Sequence, residues 1–209
     1  AYIGNKPANK AVVASDLDPA VITGQTALAV APADTDEFLI SDAGTLKRLD
    51  ASLIGGGKIG QVVQTVKTDI FTSTTASLTD VTGFSVAITP SATSSKVLVM
   101  VQCTIGVTNG YKLYTSLLRG SSEIYRGDAS GNTVRRSSGG KANANDDARN
   151  FNNIFLDSPS TTSATTYKIQ AYPESGGTLY FNATRNGVET DNAVDMRTAS
   201  SITVMEVLA

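Results

Sequence analysis

The densest group of cationic side chains in this chain lies in one long polar stretch. It contains the adjacent pair Arg135 and Arg136, followed by Lys141 and Arg149. Guanidinium and ammonium groups bind carboxylates and phosphates, so the group is suited to an acidic surface glycan, a phosphate or a neighbouring subunit. A solvated loop is the competing interpretation of the same charges. We take these four residues as candidate contacts to a receptor.

Tyrosines recur along the segments that read as strands, where the ring is usually half-buried and the hydroxyl lies at the rim. The six concerned are Tyr111, Tyr114, Tyr125, Tyr167, Tyr172 and Tyr180. We expect most of them in the core or in an interface. Tyr172 precedes a predicted turn at 173–177, and its ring is the one that we expect to stack on a sugar. It is therefore the fifth candidate receptor contact.

Oxygen-bearing side chains gather in the same polar stretch. Asp146 and Asp147, with Asn143, Asn145 and Asn152, offer the ligand atoms that Ca²⁺ prefers. Their positions do not follow the fixed spacing of an EF-hand loop, so a solvated loop is favoured. The sequence therefore predicts no metal site.

The sequence contains little that supports a catalytic role. The chain contains no histidine, which removes Ser-His-Asp, Cys-His and most zinc chemistries. A glycosidase needs two carboxylates about 5 to 10 Å apart, and nothing pairs the scattered Asp128, Asp157, Glu174 and Glu189. Cys103 lies in an apolar run, where we predict a buried, inert thiol. We expect a protein that is not an enzyme and binds no cofactor.

Composition limits the partners. The formal net charge of −2 supplies no basic field to attract nucleic acid. No apolar run approaches the roughly 20 residues of a membrane helix, and the first residues lack the pattern of a signal peptide. We expect a soluble protein that neither binds nucleic acid nor inserts into a membrane, and that is not secreted by the ordinary route.

From residue 61 to residue 209, short runs rich in Val, Ile, Thr, Tyr and Phe alternate with clusters of Gly, Ser, Asn and Asp. This pattern predicts an all-β fold, because β-branched residues suit a pleated sheet and the others suit turns. Eight to ten strands match a jelly-roll-like β-sandwich. The continuous apolar run at 97–101 predicts a strand buried on both faces. Two long polar loops, 127–150 and 184–198, are the predicted contact surfaces.

The first 60 residues read differently. Residues 1–54 have the character of an extended arm, in which residues 15–22 are either one helical turn or an irregular loop. A small β-hairpin is predicted over 36–49, because two apolar runs flank Asp42-Ala43-Gly44 and a glycine suits a tight turn. Residues 55–60 form a predicted Gly-rich hinge.

Four segments carry a resemblance to a known family. They are Ala1–Ala8, Ala31–Leu49, Leu78–Val86 and Ser200–Val207. These segments are similar to tail-fibre and other virion structural proteins of bacteriophages, especially marine and cyanobacterial ones. The resemblance touches both the arm and the predicted β domain.

The resemblance implies a homotrimer in the virion, on the tail or the capsid surface, made in the host cytoplasm. Its head is expected to be similar in outline to the trimeric jelly rolls of the complement-C1q and tumour-necrosis-factor type. Its partners would be copies of itself, other tail or capsid proteins, and a glycan or protein of the host surface. The attachment segment would use Tyr2, Ile3, Gly4, Asn5 and Pro7.

Two functions follow from this family. The first is a short trimeric tail fibre that docks to the tail by its arm and contacts the host by its β head. The second is a capsid decoration or tail adaptor protein with no receptor-binding role. A polysaccharide-degrading tailspike is disfavoured by the length of the chain and by the missing carboxylate pair.

Overall fold

A computed structural model describes residues 24, 26, 32, 33, 35–54, 58–189, 193 and 195–208 of the chain. The chain divides into two compact units, residues 1–56 and 57–209. Three predicted features lie outside the described residues: the attachment residues Tyr2, Ile3, Gly4, Asn5 and Pro7, the helical turn at 15–22, and the glycines 55–57 of the hinge.

The first unit contains the predicted hairpin. Strands β1 (Glu37–Asp42) and β2 (Thr45–Asp50) pair antiparallel, with Asp42 opposite Thr45. The two turn residues, Ala43 and Gly44, have φ of 51° and 80°. A two-residue turn with two positive φ values matches the twist of the flanking strands. The hairpin predicted from the sequence is confirmed.

The second unit is built from β-strands joined by short turns. The strands are β3 (Ile59–Lys67), β4 (Phe71–Ser73), β5 (Thr79–Ile88), β6 (Lys96–Val107), β7 (Lys112–Arg119), β8 (Ser122–Ile124), β9 (Ser138–Lys141), β10 (Ala148–Asp157), β11 (Thr165–Pro173), β12 (Leu179–Phe181) and β13 (Ser200–Val207). A short helix, α1 (Asn186–Glu189), precedes β13. Nowhere in the described part of the chain is there a helix of the length and apolar character needed to cross a membrane.

Two antiparallel sheets form from these strands. The six-stranded sheet has the order β3-β13-β6-β12-β4, with β10 also paired to β6. The five-stranded sheet has the order β5-β11-β7-β8, with β9 also paired to β7. Successive long strands alternate between the sheets, from β5 through β6, β7, β10 and β11 to β13. The predicted all-β, jelly-roll-like sandwich is confirmed.

The core lies between the two sheets. On β5 the alternate residues Phe84, Val86 and Ile88 are all buried. Phe84 packs against Phe181 of the opposite sheet, with ring centroids 5.0 Å apart. The buried Cys103 also lies in this core, as predicted, and burial raises the pKa of its thiol to about 12. Each such buried apolar side chain contributes roughly 1.5–3 kcal/mol.

Two expectations about the strands need correction. Residues 97–101 are not fully buried on both faces: Val97, Val99 and Val101 face the core, but Leu98 and Met100 on the opposite face are only half-buried. The reason is the pleat of β6, which turns alternate side chains outward. The polar stretch at 127–150 is not one long loop either, because it contains β9 and the start of β10.

A buried carboxylate ties the two sheets together. Asp157, at the end of β10, accepts hydrogen bonds from Arg119 Nη1 at 2.9 and 3.0 Å and from the Tyr167 hydroxyl at 2.7 Å. Asp157 belongs to the six-stranded sheet, whereas Arg119 and Tyr167 belong to the five-stranded sheet. Burial, together with the adjacent carboxylate, raises the pKa of Tyr167.

A second buried carboxylate closes the end of β13. Glu206 is 1% exposed, and its Oε1 accepts hydrogen bonds from the backbone N–H and the hydroxyl of Ser91, both at 2.6 Å. These hydrogen bonds lower the pKa of Glu206, although burial opposes them. A Cβ atom on Gly60 would lie 2.9 Å from Glu206 Oε2, so any larger residue there would displace the carboxylate. Gly60 was predicted in the hinge and lies in β3.

We expect Asp157→Ala to lower the free energy of unfolding by about 2–4 kcal/mol, because it leaves a guanidinium and a buried hydroxyl without their shared acceptor. Tyr167→Phe removes only one hydroxyl and should cost about 1 kcal/mol. Chemical denaturation of the two variants measures both values. Equal losses would contradict the shared role of Asp157.

We expect Glu206→Gln to lower the free energy of unfolding by about 1–3 kcal/mol at pH 7. The folded pKa lies below the ordinary value of 4.5, so the stabilisation is complete above about pH 4.5 and is lost as the pH falls through the folded pKa. Denaturation between pH 7 and pH 3 should therefore show the variant and the unsubstituted protein converging at low pH. Asp128→Asn, at an exposed site, is the control and should show no such convergence.

Candidate functional site

A groove of about 660 Å³ opens beside the end of β8. We call it the Tyr125 groove. Its lining residues are Glu123, Tyr125, Arg126, Gly127, Arg136, Ser137 and Phe155. The lining combines two aromatic rings with two cations and one carboxylate, which is a set of groups that can bind both the apolar and the polar parts of a ligand.

The backbone fixes the exposed ring of this groove. Strand β8 ends at Ile124, and Tyr125 follows it in a left-handed conformation with φ of 51°. The Tyr125 ring lies 5.2 Å from the ring of Phe155, which comes from the core-facing side of β10. Tyr125 remains 44% exposed. A strained non-glycine residue that presents a ring to solvent is a common feature of binding sites.

Arg136 forms the wall of the groove. Its Nη1 donates a hydrogen bond to the carbonyl of Arg135 at 2.7 Å and lies 3.6 Å from Glu123 Oε2. The same Glu123 oxygen accepts a hydrogen bond from the Ser116 hydroxyl at 3.0 Å. The Nε of Arg136 is buried and has no hydrogen-bond partner among the described residues. The guanidinium is therefore held in place while one of its donors remains unused.

A second groove, of about 400 Å³, lies on the other side of Arg136. We call it the Tyr172 groove. Its lining residues are Ala76, Ser77, Leu78, Tyr114, Val134, Arg136, Tyr172 and Glu174. Tyr114 and Tyr172 are cross-strand neighbours on the outer face of the five-stranded sheet, and their rings stack 5.7 Å apart. Gly139 leaves room for this pair, because a Cβ atom there would lie 2.8 Å from Tyr114 Cδ1.

Two of the five predicted receptor contacts line a groove, and three line neither groove. Arg136 and Tyr172 line the same groove. Arg135 lies next to Arg136 in the chain and donates from Nε to the carbonyl of Gly127 at 2.6 Å, which holds the loop. The other two, Lys141 and Arg149, line neither groove, and Arg149 Nη2 donates to the Lys141 carbonyl at 3.0 Å.

Sequence reasoning missed three residues of the site. Tyr125 was among the tyrosines expected in the core or in an interface, and Glu123 and Phe155 had no predicted role in a site. The run Glu123-Ile124-Tyr125-Arg126 does carry a signal, because it places an aromatic residue next to a cation and close to a carboxylate. The positive φ of Tyr125 and the meeting of β8 with β10 are properties of the fold that no local pattern shows.

Three of the four carboxylates considered for glycoside hydrolysis accept hydrogen bonds from other residues of the chain. Asp157 is in the network with Arg119 described above. Glu174 accepts a hydrogen bond from the backbone N–H of Lys112 at 3.0 Å. Glu189 accepts hydrogen bonds from the Tyr180 hydroxyl at 2.8 Å and from an arginine, which lower its pKa. Asp128 lies in an exposed loop.

The oxygen-rich stretch is also held by internal contacts. Asp147 Oδ2 accepts a hydrogen bond from the backbone N–H of Asn143 at 2.7 Å, and Asn145 Oδ1 accepts one from the backbone N–H of Asn109 at 3.1 Å. Within the described ranges, no cluster of three or more His, Cys, Asp or Glu side chains is arranged to hold a metal ion.

The two grooves place aromatic rings beside charged groups, an arrangement that can bind a saccharide. A sugar ring can stack its apolar face on Tyr125 or Tyr172, while its hydroxyls bond to the carboxylate and guanidinium beside them. In the Tyr125 groove, Arg126 and Arg136 outnumber Glu123, so the lining has an excess of positive charge. An anionic sugar is therefore favoured over a neutral one.

No protein-family model and no curated protein matches the chain. Similar solved structures include those of the Gt and Gx strains of infectious bursal disease virus, each at 14% identity over 80% of this chain, with a TM-score of 0.39. Another is the VP2 subviral particle of the same virus, at 13% identity over 83% of this chain, with a TM-score of 0.32. The chain spans 41%, 40% and 47% of the length of these three chains. TM-scores this low carry no functional argument.

We expect Tyr125→Gly to be more stable than Tyr125→Ala by about 1 kcal/mol. Both variants lose the ring contact with Phe155, but only glycine relieves the cost of the left-handed backbone. Thermal or chemical denaturation of the two variants measures the difference. A more stable alanine variant would show that the backbone at Tyr125 is not left-handed in solution.

Proposed function

We propose that this chain is a virion structural protein, a short homotrimeric tail fibre that contacts the host surface with its β-sandwich. The observation that carries the proposed contact is the placement of Arg136, which lines both grooves and so lies between the Tyr125–Phe155 and Tyr114–Tyr172 ring pairs. The phage context comes from the resemblance of the sequence. The arm, residues 1–54, would dock to the tail.

The proposed ligand is an acidic saccharide of the host surface. Arg136 would bind a carboxylate or phosphate of the sugar through the part of its guanidinium that lines the groove, and Tyr125 would stack on the sugar ring. Arg126 would add charge at the edge of the groove. The role is binding without catalysis, because the carboxylates near the grooves have positioning contacts such as the Ser116–Glu123 and Lys112–Glu174 hydrogen bonds.

Open grooves of this kind suit weak binding that is repeated many times. A shallow site with few charged groups gives modest affinity on its own. Three copies in a fibre, and several fibres on a particle, would raise the overall affinity by two to four orders of magnitude without any new contact. A homotrimer therefore fits the character of the site.

The proposal is tested by competition for adsorption. Purified protein is added to host cells, and the number of phage particles that still adsorb is counted. We expect the unsubstituted protein to block adsorption in a dose-dependent way. Arg136→Gln and Tyr172→Ala should each raise the half-blocking concentration by about tenfold or more, because each removes a charged or stacking contact worth roughly 1–3 kcal/mol.

Arg149→Gln is the matched control. It removes an exposed cation from the same polar stretch, but Arg149 lines neither groove, so its blocking activity should stay within about twofold of the unsubstituted protein. Folded protein that blocks nothing at any concentration would contradict host contact and favour the capsid decoration or tail adaptor. Blocking lost in Arg149→Gln and kept in Arg136→Gln would move the contact out of the grooves.

A further inference from the structure

The outer face of the six-stranded sheet is unusually apolar. Registers across β10, β6, β13 and β3 place Leu156, Leu98, Met205 and Val62 in one row. The next row contains Ile154, Met100, Thr203 and Gln64, and the third contains Asn152, Gln102, Ser201 and Val66. We call these twelve residues the neutral face.

Several of these apolar side chains are open to solvent. Ile154 is 65% exposed, Val62 55%, Val66 54% and Leu156 45%. Leu98, Met100 and Met205 beside them are half-buried. A single exposed apolar residue is ordinary, but a contiguous group that spans four strands is a mark of an interaction surface.

No charged side chain belongs to the neutral face. Lys96 lies on the same side of β6 but beyond the first row, at the end of the strand. The outer face of the five-stranded sheet is different, since Lys168 and Gln170 both bond to Asp80 there at 2.7 and 2.8 Å. A face exposed to water usually carries such charges. Their absence from one sheet of the same sandwich indicates that this face is covered.

We propose that the neutral face is the contact between copies of this chain. The inference rests on the self-association included in the proposed function and identifies the surface that performs it. A neutral face suits a contact between copies of the chain, because burying it against the next copy removes no charged side chain of the face from water. The apolar first row and the polar third row supply the apolar core and polar rim of an interface.

The area of the neutral face is compatible with this role. Four strands spaced about 4.8 Å apart, with about 3.3 Å per residue over the five residues of each strand, cover roughly 300 Å². A standard interface buries about 800 Å² on each partner, so the face is large enough to form the centre of a contact, and neighbouring loops would complete it. The face contains no aromatic ring and no cation, so an acidic sugar has nothing to bind there.

The proposed contact between copies through the neutral face is tested with single lysine substitutions in the full chain. Ile154→Lys and Val62→Lys place a charge at two separate points of the neutral face, both exposed enough for lysine in the isolated fold. Ala87→Lys is the matched control, because Ala87 is an exposed position on β5 in the other sheet. The mass in solution is measured by light scattering after size exclusion, and the dissociation constant by sedimentation.

The unsubstituted protein should be an oligomer, and each neutral-face variant should raise its dissociation constant at least about tenfold, whereas Ala87→Lys should not. A monomeric unsubstituted protein would overturn both the homotrimer and this interface, but not the groove. An oligomer unaffected by either neutral-face substitution would overturn the interface alone. Circular dichroism confirms that the variants are folded, and either variant suffices if the other misfolds.

Cross-linking supplies an independent measurement. Cys103, the sole cysteine, is buried, and burial raises the pKa of its thiol to about 12, so it does not react readily. Ile154→Cys therefore introduces one accessible thiol on the neutral face. A short bis-maleimide should join copies of this variant into dimers on a denaturing gel, and should not join copies of Ala87→Cys. Equal cross-linking of the two variants would contradict the proposal.

Discussion

The pleat of the β-strand is the constraint on which the rest of the molecule depends. A strand turns alternate side chains to opposite faces, so a two-layer sandwich buries one face of each sheet and leaves the other outside. Strand β6 shows this directly: Val97, Val99 and Val101 are buried, while Leu98 and Met100 face outward. Each sheet therefore has an outer face whose chemistry is free to serve another purpose.

The outer faces of the two sheets carry different kinds of side chain. The five-stranded sheet carries the Tyr114–Tyr172 pair and the Lys168–Asp80 ion pair, and Arg136 lies beside it. The six-stranded sheet carries the neutral face. In the proposed account, one face binds the host and the other binds copies of the chain. The hydrogen bonds that Asp157 accepts from Arg119 and Tyr167 fix the position of one sheet relative to the other, so both outer faces keep their geometry.

Much of the fold was predictable because its signals are local. The hairpin followed from Asp42-Ala43-Gly44, and the burial of Phe84, Val86 and Ile88 followed from their period of two. The prediction that residues 97–101 are buried on both faces was wrong, because an apolar side chain on an outer face gives the same sequence pattern as one in the core. Sequence alone does not distinguish water, a second sheet and another copy as the neighbour of Leu98.

The site was predictable only in part. Arg136 and Tyr172 stood out by residue type, and the fold brings them to one groove although 36 positions separate them. Tyr125, Glu123 and Phe155 were missed because their meeting depends on a left-handed residue at the end of β8 and on the pairing of β10 with β6. Lys141 and Arg149 share the polar stretch but not the grooves, so proximity in the chain was a poor guide.

In the proposed function, the host surface contacts the grooves on either side of Arg136. Hydroxyl-radical footprinting tests this contact most directly, because the exposed ring of Tyr125 and the half-buried rings of Tyr114 and Tyr172 react with the radical, and the oxidised residues are identified by mass spectrometry. With the protein bound to host envelopes, oxidation of Tyr114, Tyr125 and Tyr172 should fall relative to the free protein, and oxidation of Met205 should not change. Unchanged oxidation of all three tyrosines in demonstrably bound protein would contradict the account.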